Sequence, residues 1–256
     1  MTQPTSPFRR VSLIAEGQGR HLDAADRALP DHPFEDGEAV REPSSRKSRW
    51  SAHGHWWFSR SAKLVRYESG YERDQLIALD FDARSAAAMA QPMTLHAHRD
   101  AGFRAHTPDF FVRRNDGTAV LVDVRAPQDI EPTDQLKFDA TEAFCGDVGW
   151  EYQLAWQEPG PGLGNLRWLA AYRHPRFHNE TLADAVREID EWPVEFGQLM
   201  FDLTERFGLI APPALYNLLW HRDLTFDMAD PLRMYTPVVP GELLWQRPTA
   251  RETDAQ

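Results

Sequence analysis

The stretch HTPDFFVRRNDGTAVLVDVRA, residues 106–126, decides the fold expected for this chain. Two runs of apolar and β-branched residues flank an Asn-Asp-Gly sequence at 115–117, which has the residue types of a tight turn. One carboxylate, Asp109, opens the first run, and a second, Asp123, stands near the end of the other. The pattern predicts a β-hairpin with an acid at the start of one strand and another at the end of its neighbour.

The geometry of a hairpin predicts where these side chains point. Side chains alternate between the faces of a strand, so Asp123 and Arg125 are expected on one face and Val122 and Val124 on the other. In an antiparallel pair the start of one strand lies beside the end of the next, which brings Asp109 to the same sheet edge. Two aspartates and the backbone carbonyl of Val124 would suit Mg²⁺, which prefers oxygen ligands. The alternative is an ion pair between Asp123 and an arginine on an exposed sheet face.

The segments around the hairpin predict a mixed α/β domain. Residues 64–82 show helical spacing and carry Glu68 and Glu72 one turn apart, so either acid could supply a third carboxylate. Residues 132–150 have the pattern of a second helix, and residues 152–156 that of a further strand. A helix, antiparallel strands, a second helix and another strand indicate a central sheet flanked by helices.

Composition along the chain predicts four segments. Residues 1–45 are rich in proline, serine and charge, which is typical of a disordered N-terminal arm. Residues 46–176 hold the α/β domain. Residues 177–245 show amphipathic helices followed by two short strands, which is the layout of a winged-helix-like domain. Residues 246–256 are expected to form a disordered tail.

The overall composition limits the classes of protein that fit. Of the 256 residues, 42% are hydrophobic, enough for a sizeable core. The single cysteine, Cys145, excludes an internal disulfide and a cysteine-rich zinc site. No apolar run is long enough to cross a membrane, and the N-terminal residues lack the apolar stretch of a signal peptide. A cytoplasmic protein with no membrane partner is therefore expected.

Charge is unevenly placed. The net charge of −11 argues against a protein that coats nucleic acid, yet residues 41–66 hold seven basic residues against one acid. A basic stretch with interleaved aromatic residues can lie against a DNA backbone, although core packing and a solvated surface are the alternatives. The predicted DNA contacts are Arg46, Lys47, Arg49, Arg60, Lys63, Arg66 and His106.

Taken in order, the motifs resemble those of a known nuclease family. A helix glutamate, then Pro-Asp, then Asp-x-Arg follows the signature of PD-(D/E)xK nucleases, except that arginine replaces lysine. An SxxE sequence at 69–72, Gln-Pro at 91–92 and Thr-Pro-Asp-Phe at 107–110 make roughly residues 50–239 similar to the TnsA-like endonuclease subunit of heteromeric transposases. The resemblance implies a restriction-endonuclease-like fold with a winged-helix-like C-terminal part.

The resemblance also implies a set of site residues. The implied catalytic residues are Glu72, Asp109, Asp123 and Arg125. The implied metal ligands are Asp109, Asp123, Glu72 and the carbonyl of Val124, with Mg²⁺ or Mn²⁺ as the cofactor. Glu68 is the alternative to Glu72 as the helix carboxylate. Arg125 keeps the charge of the usual lysine and can grip a phosphate with two hydrogen bonds, but its pKa is too high for a neutral base.

By resemblance, the expected function is cleavage of one DNA strand, on the 5′ side, at a transposon end. The implied partners are DNA, an integrase-like transposase subunit that cuts the other strand, and an ATPase regulator of transposition. One alternative is a catalytically weak or inactive assembly subunit, which Arg125 and the acidic C-terminal part would favour. Another is a stand-alone restriction or repair nuclease.

Overall fold

The computed structural model describes residues 7–41 and 53–245. The chain divides into two units, Met1–Gln157 and Glu158–Gln256. The boundary therefore falls earlier than the predicted residue 176. The segment after Gln157 is helical and packs with the helices of the second unit, which explains the shift.

The first unit is a mixed α/β structure, as the sequence predicts, and is compatible with a nuclease-like fold. Its strands and α-helices are β1 (Phe8–Ala15), β2 (Gln18–Asp23), β3 (Gly54–Phe58), β4 (Lys63–Tyr67), α1 (Gly70–Phe81), β5 (Ser85–Ala90), β6 (Thr94–Ala97), β7 (Ala105–His106), β8 (Phe110–Arg114), β9 (Ala119–Val124), α2 (Pro132–Val148) and β10 (Glu151–Ala155). The central sheet has the order β10-β9-β8-β5, and a second sheet has the order β2-β1-β6-β7. Strands β3 and β4 form a separate hairpin.

The hairpin predicted at residues 106–126 is confirmed as β8 and β9. The two strands are antiparallel, with Phe110 opposite Val122, and β10 adds to β9 in parallel. Gly117 takes a φ of 86°, which glycine adopts without strain, and closes the turn. All six residues of β9 are buried because the sheet is covered on both faces. One face packs with residues of α1 and the other with residues of α2.

The predicted disorder of residues 1–45 is wrong for residues 7–41. Strand β1 pairs with β2 on one side and with β6 on the other. Its side chains Phe8, Val11 and Leu13 enter the same core cluster as Leu95. The alternation in this short strand was masked by the proline-rich and charged residues that surround it, because composition averages over a whole segment. The other residues predicted to be disordered, 1–6, 42–45 and 246–256, lie outside the described residues.

The second unit combines helices with a small sheet. Its α-helices and strands are α3 (Pro161–Leu169), α4 (Glu180–Arg187), β11 (Val194–Glu195), α5 (Phe196–Phe207), α6 (Ala211–Trp220), β12 (Leu224–Thr225) and β13 (Pro237–Pro240). The three strands form one sheet in the order β11-β13-β12. Helix α6 is mostly buried and carries no charged residue. In the described part of the chain, every helix is too short or too polar to cross a membrane.

Candidate active site

Asp109 lies where the sequence predicts, at the edge formed by the start of β8 and the end of β9. Its Oδ2 accepts a hydrogen bond from the backbone N–H of Val124 at 2.8 Å. Its own carbonyl accepts a 2.8 Å bond from the N–H of Gln91. The residue remains partly open to solvent. Asp109 is therefore held in place by two backbone N–H groups, one on its carboxylate and one on its carbonyl.

The charges around Asp109 are mostly negative. The pKa of Asp109 lies well above its usual range, first because the carboxyl group is desolvated and then because the carboxylates of Asp123 and Glu72 repel its negative charge. The N–H of Val124 and the guanidinium of Arg125 act in the opposite direction. The fold thus concentrates acids that it balances only in part, which is the electrostatic character of a cation site.

Asp123 is held from behind by two side chains. It is 3% exposed, and its Oδ2 accepts a hydrogen bond from the Tyr152 hydroxyl at 2.9 Å. The Nε2 of His106 lies 2.8 Å from the same oxygen and donates to it in the tautomer protonated there. Within the described residues, Oδ1 of Asp123 has no hydrogen-bond partner. The alternative of an arginine ion pair on an exposed sheet face is therefore wrong, and Oδ1 is left for another ligand.

Glu72 is fixed by the start of α1. Ser69 caps the helix by accepting a 3.1 Å hydrogen bond from the N–H of Glu72. The Glu72 carboxylate accepts reciprocal bonds from the N–H of Glu68 at 2.7 Å and from the Ser69 hydroxyl at 3.1 Å. This is a variant of the capping box, in which the glutamate accepts from the N–H of Glu68, one residue before the cap, and it explains the SxxE sequence in structural terms. The pKa of Glu72 is raised, mainly because its carboxyl group is desolvated by burial.

Glu68, the alternative helix acid, is taken up by a different network. Its carboxylate accepts a 2.8 Å bond from the side-chain amide of Gln91 and forms ion pairs with Arg41 and Arg66. The pKa of Asp109, by contrast, is raised by Glu72. Of the two acids, Glu72 is therefore the one with an observed electrostatic influence on the candidate site.

Gln91 connects this network to Asp109. It is buried and adopts a φ of 48°, which is uncommon for a residue with a Cβ. Its side-chain oxygen accepts from Arg66, its amide donates to Glu68, and its N–H holds the carbonyl of Asp109. These contacts give Gln91 a structural role at the sheet edge.

Arg125 follows β9 directly and is exposed. Its N–H donates to the carbonyl of Ala155 at 3.1 Å, which extends the pairing of β9 with β10. Among the residues that the structure describes, its guanidinium has no ion-pair partner. Its charge lowers the pKa of Asp109, which shows that it lies within electrostatic reach of that carboxylate. Arg125 is thus available to an anion at the same edge as the two aspartates.

Several predicted DNA contacts are occupied by the protein itself. Lys63 forms an ion pair with Asp36, and Arg66 donates to Gln91 and to the carbonyl of Arg41. The ring of His106 contacts Asp123 and is largely buried, so it is poorly accessible to a phosphate. Charge patterns along the sequence cannot reveal such partners, which come from distant segments.

The remaining predicted DNA contacts are one arginine in the first unit and three basic residues before it. Arg60 is partly buried. Arg46, Lys47 and Arg49 lie outside the described residues.

The donors at this edge fit a magnesium ion with a small protein ligand set. Across residues 7–41 and 53–245, no group of three or more histidine, cysteine or acidic side chains is gathered closely enough to hold a metal ion. The Glu72 carboxylate is hydrogen-bonded at the start of α1, so Glu72, Asp109 and Asp123 do not form one set of metal ligands in this structure. Mg²⁺ is commonly bound by one or two carboxylates and keeps several waters. Asp109 and Oδ1 of Asp123 are two carboxylate donors of that kind at this edge.

Two features of the site were missed from the sequence. Tyr152 was not recognised as a partner of Asp123, because the parallel pairing of β10 with β9 joins residues far apart in sequence. His106 was assigned to DNA contact, and its bond to Asp123 depends on side-chain placement that no sequence pattern shows. The capping box at Ser69 was readable, since a serine three residues before a glutamate at a helix start is its signature.

One comparison with known proteins gave a match. Residues 86–156 match the family described as "TnsA-like endonuclease N terminal". The match runs from β5 to just past β10, includes Gln91, Asp109, Asp123 and Arg125, and leaves out Glu72. No curated protein matched the chain. The resemblance drawn from the motifs is thereby confirmed, and the central part of this chain is similar to the N-terminal domain of TnsA-like endonucleases.

Proposed function

We propose that the chain is a metal-dependent DNA endonuclease subunit of a heteromeric transposase, and that it cuts one strand, on the 5′ side, at transposon ends. The observation that carries this proposal is the meeting of Asp109, Asp123 and Arg125 at one sheet edge within the segment similar to TnsA-like endonucleases. The position of Asp109, a partly exposed residue at this edge, marks where a cation and a phosphate would approach.

The proposed cofactor is Mg²⁺ or Mn²⁺. Asp109 and Oδ1 of Asp123 would hold it, with the carbonyl of Val124 as a further oxygen donor. When bound, such an ion lowers the pKa of an attacking water and stabilises the charge that develops on the phosphate. Its positive charge would also relieve the repulsion that raises the pKa of Asp109.

The protein groups have separate tasks in this proposal. Val124 orients the Asp109 carboxylate through its N–H, while Tyr152 and His106 orient Asp123 through Oδ2. Arg125 binds the scissile phosphate and stays charged throughout, since a guanidinium does not act as a base at neutral pH. Proton removal from the attacking water then falls to solvent or to a carboxylate.

The second unit is proposed to be a winged-helix-like module that contacts protein partners. Its order α4-β11-α5-α6-β12-β13, with two final strands in one small sheet, supports that layout. A helix that reads DNA contacts phosphates and base edges with basic and polar side chains, whereas α6 is uncharged and mostly buried. The partners implied by the resemblance are an integrase-like transposase subunit and an ATPase regulator.

A nicking assay tests the proposal. The substrate is a duplex carrying a transposon end, with Mg²⁺ or Mn²⁺ and the integrase-like partner present. Asp109→Ala and Asp123→Ala are each expected to lower the cleavage rate at least about 100-fold, because each removes a metal ligand. Asp147→Ala removes an exposed acid of α2 and is the matched control. Unchanged cleavage by both aspartate variants would contradict the proposal.

Arg125 supports a second candidate, an assembly subunit with weak or absent catalysis. It stands where the family usually has lysine, so a role in proton transfer would be lost. In that case the wild type binds its partner without cutting, and Arg125→Lys creates or greatly raises cleavage. Robust cutting by the wild type rules this candidate out. Cutting that needs no partner would instead favour a stand-alone nuclease.

A further inference from the structure

The sheet β2-β1-β6-β7 has one apolar face and one polar face. Val11, Leu13 and Leu95 lie on the apolar face and belong to the core. The opposite face, called here the arginine–histidine face, is formed by Arg9, Arg10, Ser12, His21, Thr94 and His96. These residues are partly or fully exposed. The face is therefore open to a partner from solvent.

A strand irregularity brings two consecutive arginines to this face. The register between β1 and β6 shifts between Phe8 and Arg10, which leaves Arg9 as an extra residue in β1. Phe8 remains in the core, while Arg10 lies opposite His96. Bulges of this kind redirect side chains. Both arginines lie close enough to His96 to lower its pKa, although burial of the ring has the larger effect.

The two histidines are fixed to the middle of the face. The hydroxyl of Ser12 lies 2.9 Å from Nδ1 of His21 and 2.6 Å from Nε2 of His96. His21 also contributes to the lowered pKa of His96. Four nitrogen-bearing side chains thus lie close together across three strands.

The arginines of this face are not neutralised by the protein. Within residues 7–41 and 53–245, neither Arg9 nor Arg10 has an ion-pair partner, and the buried Nε of Arg10 has no hydrogen-bond partner. Asp23 stands opposite Arg10 in the register, and its Oδ1 accepts instead from the N–H of Ala25. In a chain with a net charge of −11, such unpaired cations form a local site for an anion.

The face adjoins the candidate active site. The hydroxyls of Thr94 and Thr107 lie 3.1 Å apart, and Thr107 is two residues before Asp109. A polyanion lying on the face would therefore continue toward the carboxylate edge. Lys63 and Arg66, the alternatives predicted from the sequence, are engaged by Asp36 and Gln91.

We propose that the arginine–histidine face binds the phosphate backbone of the DNA duplex beside the cleavage site. The inference rests on the proposed function, since it places the substrate of that same site. Arginines grip phosphates with paired hydrogen bonds, and serine and threonine hydroxyls add further ones. Such contacts position a duplex without reading its sequence. Recognition of the transposon end is left to another surface or to a partner subunit.

The test measures DNA binding apart from cleavage. Fluorescence anisotropy of a labelled duplex of about 30 base pairs is followed with the full chain, in EDTA, over a series of salt concentrations. The double variant Arg9→Ala/Arg10→Ala is expected to bind at least about tenfold more weakly and to lower the slope of log K against log salt by about 2. The control Arg20→Ala/Arg84→Ala removes the same charge from arginines paired with Glu16 and Asp82.

Two further measurements keep the outcome decisive. Arg9→Lys/Arg10→Lys keeps the charge and is expected to retain most of the salt slope. Arg9→Gln/Arg10→Gln removes the charge with little loss of side-chain length, is expected to lose the same part of the slope as the alanine variant, and decides the matter if the alanine variant does not fold. Binding and a salt slope equal to those of the control would overturn the inference. A wild type that fails to cut while the alanine variant loses binding would contradict the proposed function and leave the inference standing. Normal cutting by the wild type, together with unchanged binding by the alanine variant, would support the proposed function and overturn the inference.

Discussion

The two ends of α1 hold acids in opposite surroundings. Near the C-terminal end, Asp80 is fully buried and accepts hydrogen bonds from Trp56 Nε1, from the N–H of Ser59 and from the Ser59 hydroxyl, at 2.6–3.0 Å. Near the N-terminal end, Glu72 lies within electrostatic reach of Asp109, whose neighbours include further carboxylates.

The difference separates structural acids from ligand-binding ones. The donors from Trp56 and Ser59 help to compensate the burial of Asp80, so the fold needs its carboxylate. Asp109 has one backbone donor and repelling acids, so the fold alone gains little from its charge. A buried acid among donors stabilises the protein, whereas an acid among acids is better explained by a cation that completes the site.

The largest expected effect is on stability at the Asp80 end. Asp80→Asn places an amide donor against existing donors and is expected to lower the free energy of unfolding by about 3 kcal/mol. Asp109→Asn removes a repelling charge and should leave that free energy unchanged or slightly higher. Urea unfolding of both variants measures the contrast. Equal destabilisation by the two substitutions would break the comparison.

Metal ions should stabilise only the acidic end. At a free concentration of ten times its Kd, Mg²⁺ or Mn²⁺ is expected to add about 1.4 kcal/mol to the free energy of unfolding of the wild type. Asp109→Asn should abolish this gain, whereas Asp147→Ala should keep it. Thermal unfolding with and without the ion gives the result. A gain that survives in Asp109→Asn would place the ion elsewhere.

The hydrogen bond from the Tyr152 hydroxyl to Asp123 should affect metal affinity more than folding. Tyr152→Phe removes one donor to Oδ2, and the metal concentration for half-maximal cleavage is expected to rise about tenfold. Tyr235→Phe, at an exposed position of the second unit, is the control. An unchanged metal requirement with a lower rate would instead indicate that Tyr152 acts through general packing.

The smallest effect is expected at the helix cap. Ser69→Ala removes the N-cap of α1 and should lower the free energy of unfolding by about 1 kcal/mol. Ser69→Thr keeps a capping hydroxyl and should retain most of it. Cleavage should fall modestly in the alanine variant, because Glu72 loses the hydroxyl that holds its carboxylate. Thermal unfolding and the nicking assay follow both quantities.

The parts predicted from the sequence depended on local signals. The apolar and β-branched runs of β8 and β9 and the Asn-Asp-Gly turn at 115–117 indicated the hairpin, and antiparallel geometry then brought Asp109 beside Val124. The partner of Asp123 could not be predicted in this way, because Tyr152 reaches it through a parallel strand that follows a whole helix. Pairwise contacts between distant segments leave no periodic pattern.

The charge pattern of the sequence was the least reliable basis for predicting DNA contacts. Lys63 and Arg66 belong to the basic stretch that predicted DNA contacts, yet both are engaged within the protein. Arg9 and Arg10 lay in a segment expected to be disordered, yet they form part of an open basic face. A run of like charges shows where cations are in the sequence, whereas only the fold shows which of them are neutralised.

The backbone bond between Gln91 and Asp109 has a consequence for how this protein can change in length. This hydrogen bond joins the two ends of the segment that contains β6 and β7, so the chain between Gln91 and Asp109 forms a loop whose base is fixed. Residues added near Gly102, at the exposed turn of that segment, would extend the loop without moving its base. Insertions at that turn should therefore be tolerated while the Asp109 carboxylate keeps its position.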